Sequence, residues 1–340
     1  MSDFEINLRY DLRCPDWATP RGDLYAAALD QCAWADQLGL DAVLISEHHG
    51  SEDGYLPAPT VFAAAVAART KRIRIRLAAL VLPLHDPVRA AEQLAVLDVV
   101  SGGRLEVVAA AGYVPSEFAM FGVPMDKRGA RLERYIEVMR RLWRGERFDY
   151  EGRPVRLGLK PLQEHGPPII LAGGSPISAK RAARIGDGYM PVFARLWKTY
   201  AEECARLGKE PGGPPVSNAP SFLHLSDDPD KSWQAIGPHA LHDMNAYGAW
   251  AQEAGLPGLY RQSDSVDEVR ATGMYQVITP EVCTKMVRTG RVRGSLVFHP
   301  LMGGLSPDLA NESLRLLENQ VWPQLRGSDV HSSPKEEDAA

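Results

Sequence analysis

Apolar positions recur along this chain in two alternating rhythms. Leu24, Ala28, Cys32, Ala35 and Leu38 return at helical spacing and stop at Gly39, a residue suited to the left-handed turn that ends a helix. Directly after comes Ala42 to Ile45, apolar throughout and too short for a helix, the pattern of a strand covered on both faces. The alternation repeats: a helix from about Pro57 to Arg69, a strand from Ile73 to Leu82, a helix from Pro87 to Val100 and a strand from Leu105 to Ala111. Strand then helix, repeated, predicts a parallel sheet.

Further on, Leu132, Tyr135, Ile136, Met139, Leu142 and Trp143 form one apolar helix face, and Glu151-Gly152-Arg153-Pro154 is the turn of a small hairpin. Ile169 to Ala172 is a strand running into Gly173-Gly174. Phe222 to Leu225 and Leu296 to Phe298 are later strands, and Leu309 to Val321 a closing helix. With Asn7 to Asp11 as the first strand, there are about eight strand segments, which favours a (β/α)8 TIM barrel with insertions at the C-terminal ends of the strands. The open doubly wound sheet competes, but no GxGxxG follows the first strand. Residues 1–326 are expected to form one domain, with 193–275 as an insertion or lid, broken by Pro211-Gly212-Gly213-Pro214-Pro215, and 327–340 as a disordered polar tail.

Composition narrows the function. The 340 residues carry a net charge of -5 without a basic stripe, so nucleic acid is not the expected ligand. Cys14, Cys32, Cys204 and Cys283 are widely spaced, as in a reducing compartment, and no disulfide is expected. The first residues, with Ser2, Asp3 and Glu5, lack the pattern of a secretory leader. No run approaches the roughly 18 apolar residues of a membrane span, so a cytoplasmic location away from membranes is expected.

Three places carry candidate chemistry. Glu47-His48-His49 follows a strand, where barrel enzymes place their reacting groups, and neighbouring histidines there point in different directions. One can face a ligand while the other packs, or both can be satisfied by loop hydrogen bonds. Gly173-Gly174-Ser175-Pro176 follows another strand, with a serine N-cap and proline at the first helical position; such a start binds phosphate, or is only a cap. Glu92, on an otherwise apolar helix, needs a partner, and Arg104 is the expected one. A metal-dependent barrel needs several converging ligands, but the first strand, Asn7 to Asp11, offers no His pair, and His239, His242 and Asp243 lie in the lid region, so no metal is expected.

The strings Ser46-Glu47-His48-His49, Ala78-Ala79-Leu80-Val81-Leu82-Pro83 with Asp86-Pro87-Val88-Arg89, Leu97-Asp98 with Ser101-Gly102-Gly103-Arg104, Phe121-Gly122-Val123 and Ala182-Ala183-Arg184-Ile185-Gly186-Asp187-Gly188 together resemble the bacterial luciferase-like flavin-dependent oxidoreductases. The resemblance covers Phe4 to Pro191 well and the last third loosely. It implies a barrel holding reduced FMN or, in other branches, an 8-hydroxy-deazaflavin. His48 matches the catalytic histidine, and Ala78-Ala79 a place where the family often has a non-prolyl cis peptide beneath the flavin ring. Gly112 matches a glycine that the flavin approaches, and Gly173, Gly174, Ser175 and Ser178 match the phosphate site. Luciferase itself has cysteine and arginine where this chain has Ala110 and Ala111, so a phosphate would rely on the helix start and on Arg128 or Arg131. The implied activity is a monooxygenase acting on a small organic substrate with O2, fed by a separate flavin reductase and assembled as a homodimer. A deazaflavin-dependent hydride transfer and a flavin-binding protein without turnover are the alternatives. A lid drawn from Trp197 to Tyr260, including Trp233, Met244, Tyr247 and Trp250, would cover the site.

Overall fold

The computed structural model describes residues 4–256 and 260–326; the expected tail lies outside the described residues. Among the described residues eleven strands are formed: β1 (Glu5–Tyr10), β2 (Ala42–Ile45), β3 (Arg74–Leu80), β4 (Leu105–Ala109), β5 (Phe148–Tyr150), β6 (Arg153–Val155), β7 (Ile169–Gly173), β8 (Gly188–Pro191), β9 (Phe222–Leu225), β10 (Tyr275–Ile278) and β11 (Ser295–Phe298). Seven of them build one curled parallel sheet in the order β11-β1-β2-β3-β4-β7-β8. β9 and β10 form a parallel pair, with β9 packed alongside β11, and β5 and β6 make the small antiparallel hairpin. Helices on the outer face connect successive parallel strands, as the alternation of patterns requires.

The strands are apolar because helices cover one face while the other looks into the curl. All of β2 is buried, as are Leu8, Val43, Ile75, Leu77, Val107, Ile169 and Leu171. The helices begin and end where their sequences say they should. Gly39 (φ 91°) ends the helix Arg21–Leu38 in the left-handed conformation, and Asp86 caps Pro87–Ser101 by accepting from Val88 N–H and Arg89 N–H. Ser175 caps Pro176–Ile185 in a reciprocal box with Ser178.

The interior of the curl is ionic near the N-terminal ends of the strands. Arg76, buried, donates to Glu5 (3.0 Å) and to Glu106 (2.6 Å), and Arg74 reaches the other Glu5 oxygen at 2.6 Å. Burial alone would raise the Glu5 carboxyl, but the hydrogen bond and charge of Arg76, with Arg74, bring it down to about 2.

One expectation needs correction. Glu92 does not meet Arg104: it is half exposed and pairs with Arg89 at 3.2 Å. Arg104 instead donates to the carbonyls of Ala67, Thr70, Ile73 and Ser101 and ties the end of one helix to the next strand. Residues 193–275 contain regular elements. They supply the helix Leu196–Arg206, β9 and the 25-residue helix Pro229–Glu253, which lies over the C-terminal end of the sheet and takes part in the ring of contacts described next.

Candidate active site

The C-terminal ends of four neighbouring strands, β2, β3, β4 and β7, carry the residues singled out in the sequence. His48 follows β2, Ala78-Ala79 is within β3, Gly112 follows β4, and Gly173, Gly174, Ser175 and Ser178 lie at the end of β7 and the start of its helix. Parallel strand order places them side by side on one rim.

Next to β2, two buried carboxylates divide the histidine pair. Glu47 accepts from His49 (3.0 Å), from His85 (2.8 Å) and from the Val81 N–H. Burial would raise its carboxyl, yet the hydrogen bonds of His49 and His85, the charge of His85 and the Val81 N–H hold it at about 2. The same contact raises His85 against the opposing effect of burial. Glu117, from the short helix Pro115–Met120, stands against His48: its Oε1 lies 2.7 Å from His48 Nδ1 and accepts the His49 backbone N–H at 2.8 Å. His49 is therefore held in the wall, its ring edge-on to Phe121 at 4.6 Å. His48 faces inward.

Aromatic rings surround His48. Trp250 stacks on it at 4.2 Å, and Tyr55, Tyr113 and Tyr247 meet it edge-on at 4.9, 5.7 and 6.0 Å. Tyr55 and Tyr247 share a hydrogen bond of 2.9 Å, and Arg9 donates to the Tyr247 hydroxyl at 2.6 Å. Burial pushes the Tyr55 phenol up to about 12 despite the pull of Arg9 and Arg13. Beneath the rings, the fully buried Arg13 lies 4.6 to 4.9 Å from the Tyr55, Tyr247 and Trp250 ring centres. Its guanidinium pairs with Asp53 at 2.6 Å and approaches Asp243 at 3.4 Å, while His242 bonds Asp53 at 2.8 Å. Burial works against the Asp53 charge, but His242, Arg13 and Ser51 hold its carboxyl well below the usual range.

The other rim residues are suited to a flat ring and a phosphate. The Ala78–Ala79 peptide bond is cis, both alanines are half-buried, and Ser46 Oγ donates to the Ala78 carbonyl at 2.9 Å. Gly112 (φ 78°) is required twice: its conformation favours glycine, and a Cβ would lie 2.8 Å from Phe118 and Val81. A Cβ on Gly173 would fall 2.3 Å from the Ser178 side chain, so this glycine lets the helix start close to the strand. Gly174, Ser175 and Ile177 are exposed, while the Ser175 and Ser178 N–H groups are engaged in the capping box and Pro176 has none. Of the two arginines considered for that anion, Arg128 donates to the Gly112 carbonyl at 3.0 Å, on the rim, whereas Arg131 turns to the Pro124 carbonyl at 2.5 Å. His239 and His242, the metal alternative, are separated in use: His239 bonds the Gly303 carbonyl at 2.7 Å and His242 bonds Asp53.

Sequence reasoning missed Glu117, Arg13, Tyr55, Tyr113 and His85. Glu117 alone had a usable signal, a lone carboxylate among apolar residues in Pro115–Met120, the kind of signal that was read instead at Glu92.

The sequence profile of the luciferase-like monooxygenases matches residues 11–288. The 4-hydroxyprotoasukamycin monooxygenase of Streptomyces nodosus subsp. asukaensis is 32% identical over 166 residues, 46% of this chain and 44% of that protein. An F420-dependent glucose-6-phosphate dehydrogenase of Nocardia farcinica is 29% identical over 186 residues, 52% of this chain and 55% of its own. The matches thus span about half the length of these curated relatives. The oxygenating constituent of 3,6-diketocamphane monooxygenase from Pseudomonas putida, solved with FMN, shares the fold over 95% of this chain and 99% of its own, with a TM-score of 0.74 and 19% identity. On the profile match, which takes in the whole rim from β2 to β7, this chain belongs to the luciferase-like monooxygenase family.

Proposed function

We propose that this protein is a monooxygenase that takes reduced FMN from a separate reductase and uses O2 to oxygenate a small organic substrate. The observation that carries the reading is the gathering of His48, Ala78-Ala79, Gly112 and the Gly173-to-Ser178 turn on adjacent strand ends. In this reading the helix start, with Ser175 and Ser178, holds the phosphate, and Arg128 stands in for the arginine that Ala111 replaces. Ala78-Ala79 and Gly112 are the residues that would hold the flavin ring. Bound reduced flavin would supply the electrons that activate oxygen. His48 takes and returns a proton at Nε2, while Tyr247 and Trp250 on the helix Pro229–Glu253 keep water from it. That one neighbour is an oxygenating constituent solved with FMN supports both the cofactor and a partner that reduces it. The parallel pair β9-β10, packed beside β11, is consistent with closure of the sheet into a (β/α)8 barrel. Val61, Val96, Val99 and Val100, exposed on the helices Pro59–Arg69 and Pro87–Ser101, suit a homodimer interface.

The second reading, hydride transfer with a deazaflavin, is favoured by the F420-dependent relative and by Ala111. His48 separates turnover from binding in either case. His48→Gln is expected to keep the affinity for reduced FMN within about threefold and to lower the rate of reoxidation by O2 in a single turnover by about 10²-fold or more. A variant that reoxidises FMN at the wild-type rate would remove His48 from the reaction.

A further inference from the structure

We propose that Glu117 is the positioning residue of His48: it fixes the imidazole as the Nδ1–H tautomer, so that Nε2 is the atom that exchanges a proton with the substrate. The proposal deepens the reading of His48 given above and rests on it, and it holds for either flavin, because both reactions need a proton moved.

The geometry points to the assignment. Glu117 is buried, 1% exposed, and its Oε1 faces two nitrogens at once. One is the His49 backbone N–H, which can only donate, at 2.8 Å. In the proposed pairing Glu117 acts as a carboxylate, an acceptor on all sides, and the second nitrogen, His48 Nδ1 at 2.7 Å, carries its hydrogen. The length is that of a charge-assisted bond. Nδ1–H then leaves the Nε2 lone pair free, and among the described residues no hydrogen bond reaches Nε2. The groups packed around this ring are Glu117, His49, Tyr55, Tyr113 and Tyr247, with Trp250 stacked on its face and Arg13 beyond the rings. Among the described residues Glu117 is the carboxylate that bonds the imidazole, so it is the group that balances the imidazolium when Nε2 accepts a proton from a substrate O–H or N–H; returning that proton restores the neutral ring.

Glu117 is itself held in place. The neighbouring Ser116 donates its N–H and hydroxyl to Glu253 at 2.7 and 3.1 Å, joining the short helix to the end of Pro229–Glu253. The position of the His48 ring is thereby tied to the helix that carries Trp250.

The test is ¹⁵N NMR of the imidazole groups in the full-length protein without cofactor, with His48 assigned from the signals lost in His48→Gln. Wild type is expected to show a protonated Nδ1 and a bare, pyridine-type Nε2 at His48. Glu117→Gln keeps the tautomer, because the His49 N–H holds the amide oxygen towards it. Glu117→Leu loses it, and His48 passes to a mixture rich in the Nε2–H form that free imidazole side chains favour. A wild-type His48 bearing its hydrogen on Nε2, or an unchanged tautomer in Glu117→Leu, would overturn the proposal without any variant activity entering. Wild-type reoxidation of FMN by His48→Gln would instead overturn the underlying role of His48, so the two failures are told apart.

Discussion

A carboxylate at the strand end shows how a few contacts set the chemistry of single residues. Glu47 has its folded carboxyl lowered from 4.5 to about 2, so its contribution to stability is complete above 4.5 and is lost as pH falls towards 2. His85 is raised from 6.5, so its share is complete below 6.5 and is lost as pH rises through the folded value. The two sets overlap between pH 4.5 and 6.5. Urea denaturation of Glu47→Gln against wild type is expected to show a loss of about 2–3 kcal/mol in that window, shrinking on both sides. A difference that stays constant from pH 3 to 8 would contradict the pairing. At this scale the sequence was only partly legible. His48, Gly112 and the Gly173-to-Ser178 turn could be picked out because each belongs to a contiguous string. Glu117 and Arg13 owe their roles to neighbours 69 and 40 residues away, His48 and Asp53. A buried carboxylate was sought in the right kind of place, an apolar helix, but at Glu92, whose half-exposed side chain finds Arg89 one turn earlier in the same helix.

Among elements, strands buried on both faces were the readable ones. Ala42–Ile45 and Phe222–Leu225 agree with their apolar runs. β8 and β10 escaped because Gly-Tyr-Met-Pro begins and ends in strand breakers and Tyr-Gln-Val-Ile is only partly buried. The long helix Pro229–Glu253 was obscured by Pro238 within it and by the glycines Gly237 and Gly248. Both glycines accept close neighbours: a Cβ on Gly248 would lie 2.6 Å from the Gln262 nitrogen, and one on Gly237 2.5 Å from Val266. Arg13 joins this helix to β1's following loop through Asp243, and to Asp53, with His242 on the same carboxylate. Arg13→Met would leave these carboxylates buried without their cation and is expected to cost about 3–5 kcal/mol. Hydrogen exchange should show protection lost first in Pro229–Glu253, while β2 to β4 hold theirs. Equal loss in all of them would mean that Arg13 supports the sheet as a whole and not the roof over His48.

For the whole molecule, the alternation of patterns was enough to give a parallel α/β fold, because each strand and its helix are written within a few dozen residues. The way the sheet ends was not, since β8, β9, β10 and β11 meet through loops with no periodicity of their own. The family profile, over residues 11–288, takes in both the rim from β2 to β7 and the roof with Tyr247 and Trp250. The proposed function assigns cofactor choice to the rim and substrate choice to the roof. At the rim this chain departs from luciferase itself at Ala110 and Ala111, and the proposed cofactor reading leaves the phosphate to the Ser175 helix start and Arg128. Anaerobic titration of the purified protein with reduced FMN and, side by side, with reduced deazaflavin tests this directly. The account predicts tighter binding of reduced FMN, weakened about tenfold in Arg128→Met. Preference for the deazaflavin would contradict it and make the protein a hydride-transfer enzyme.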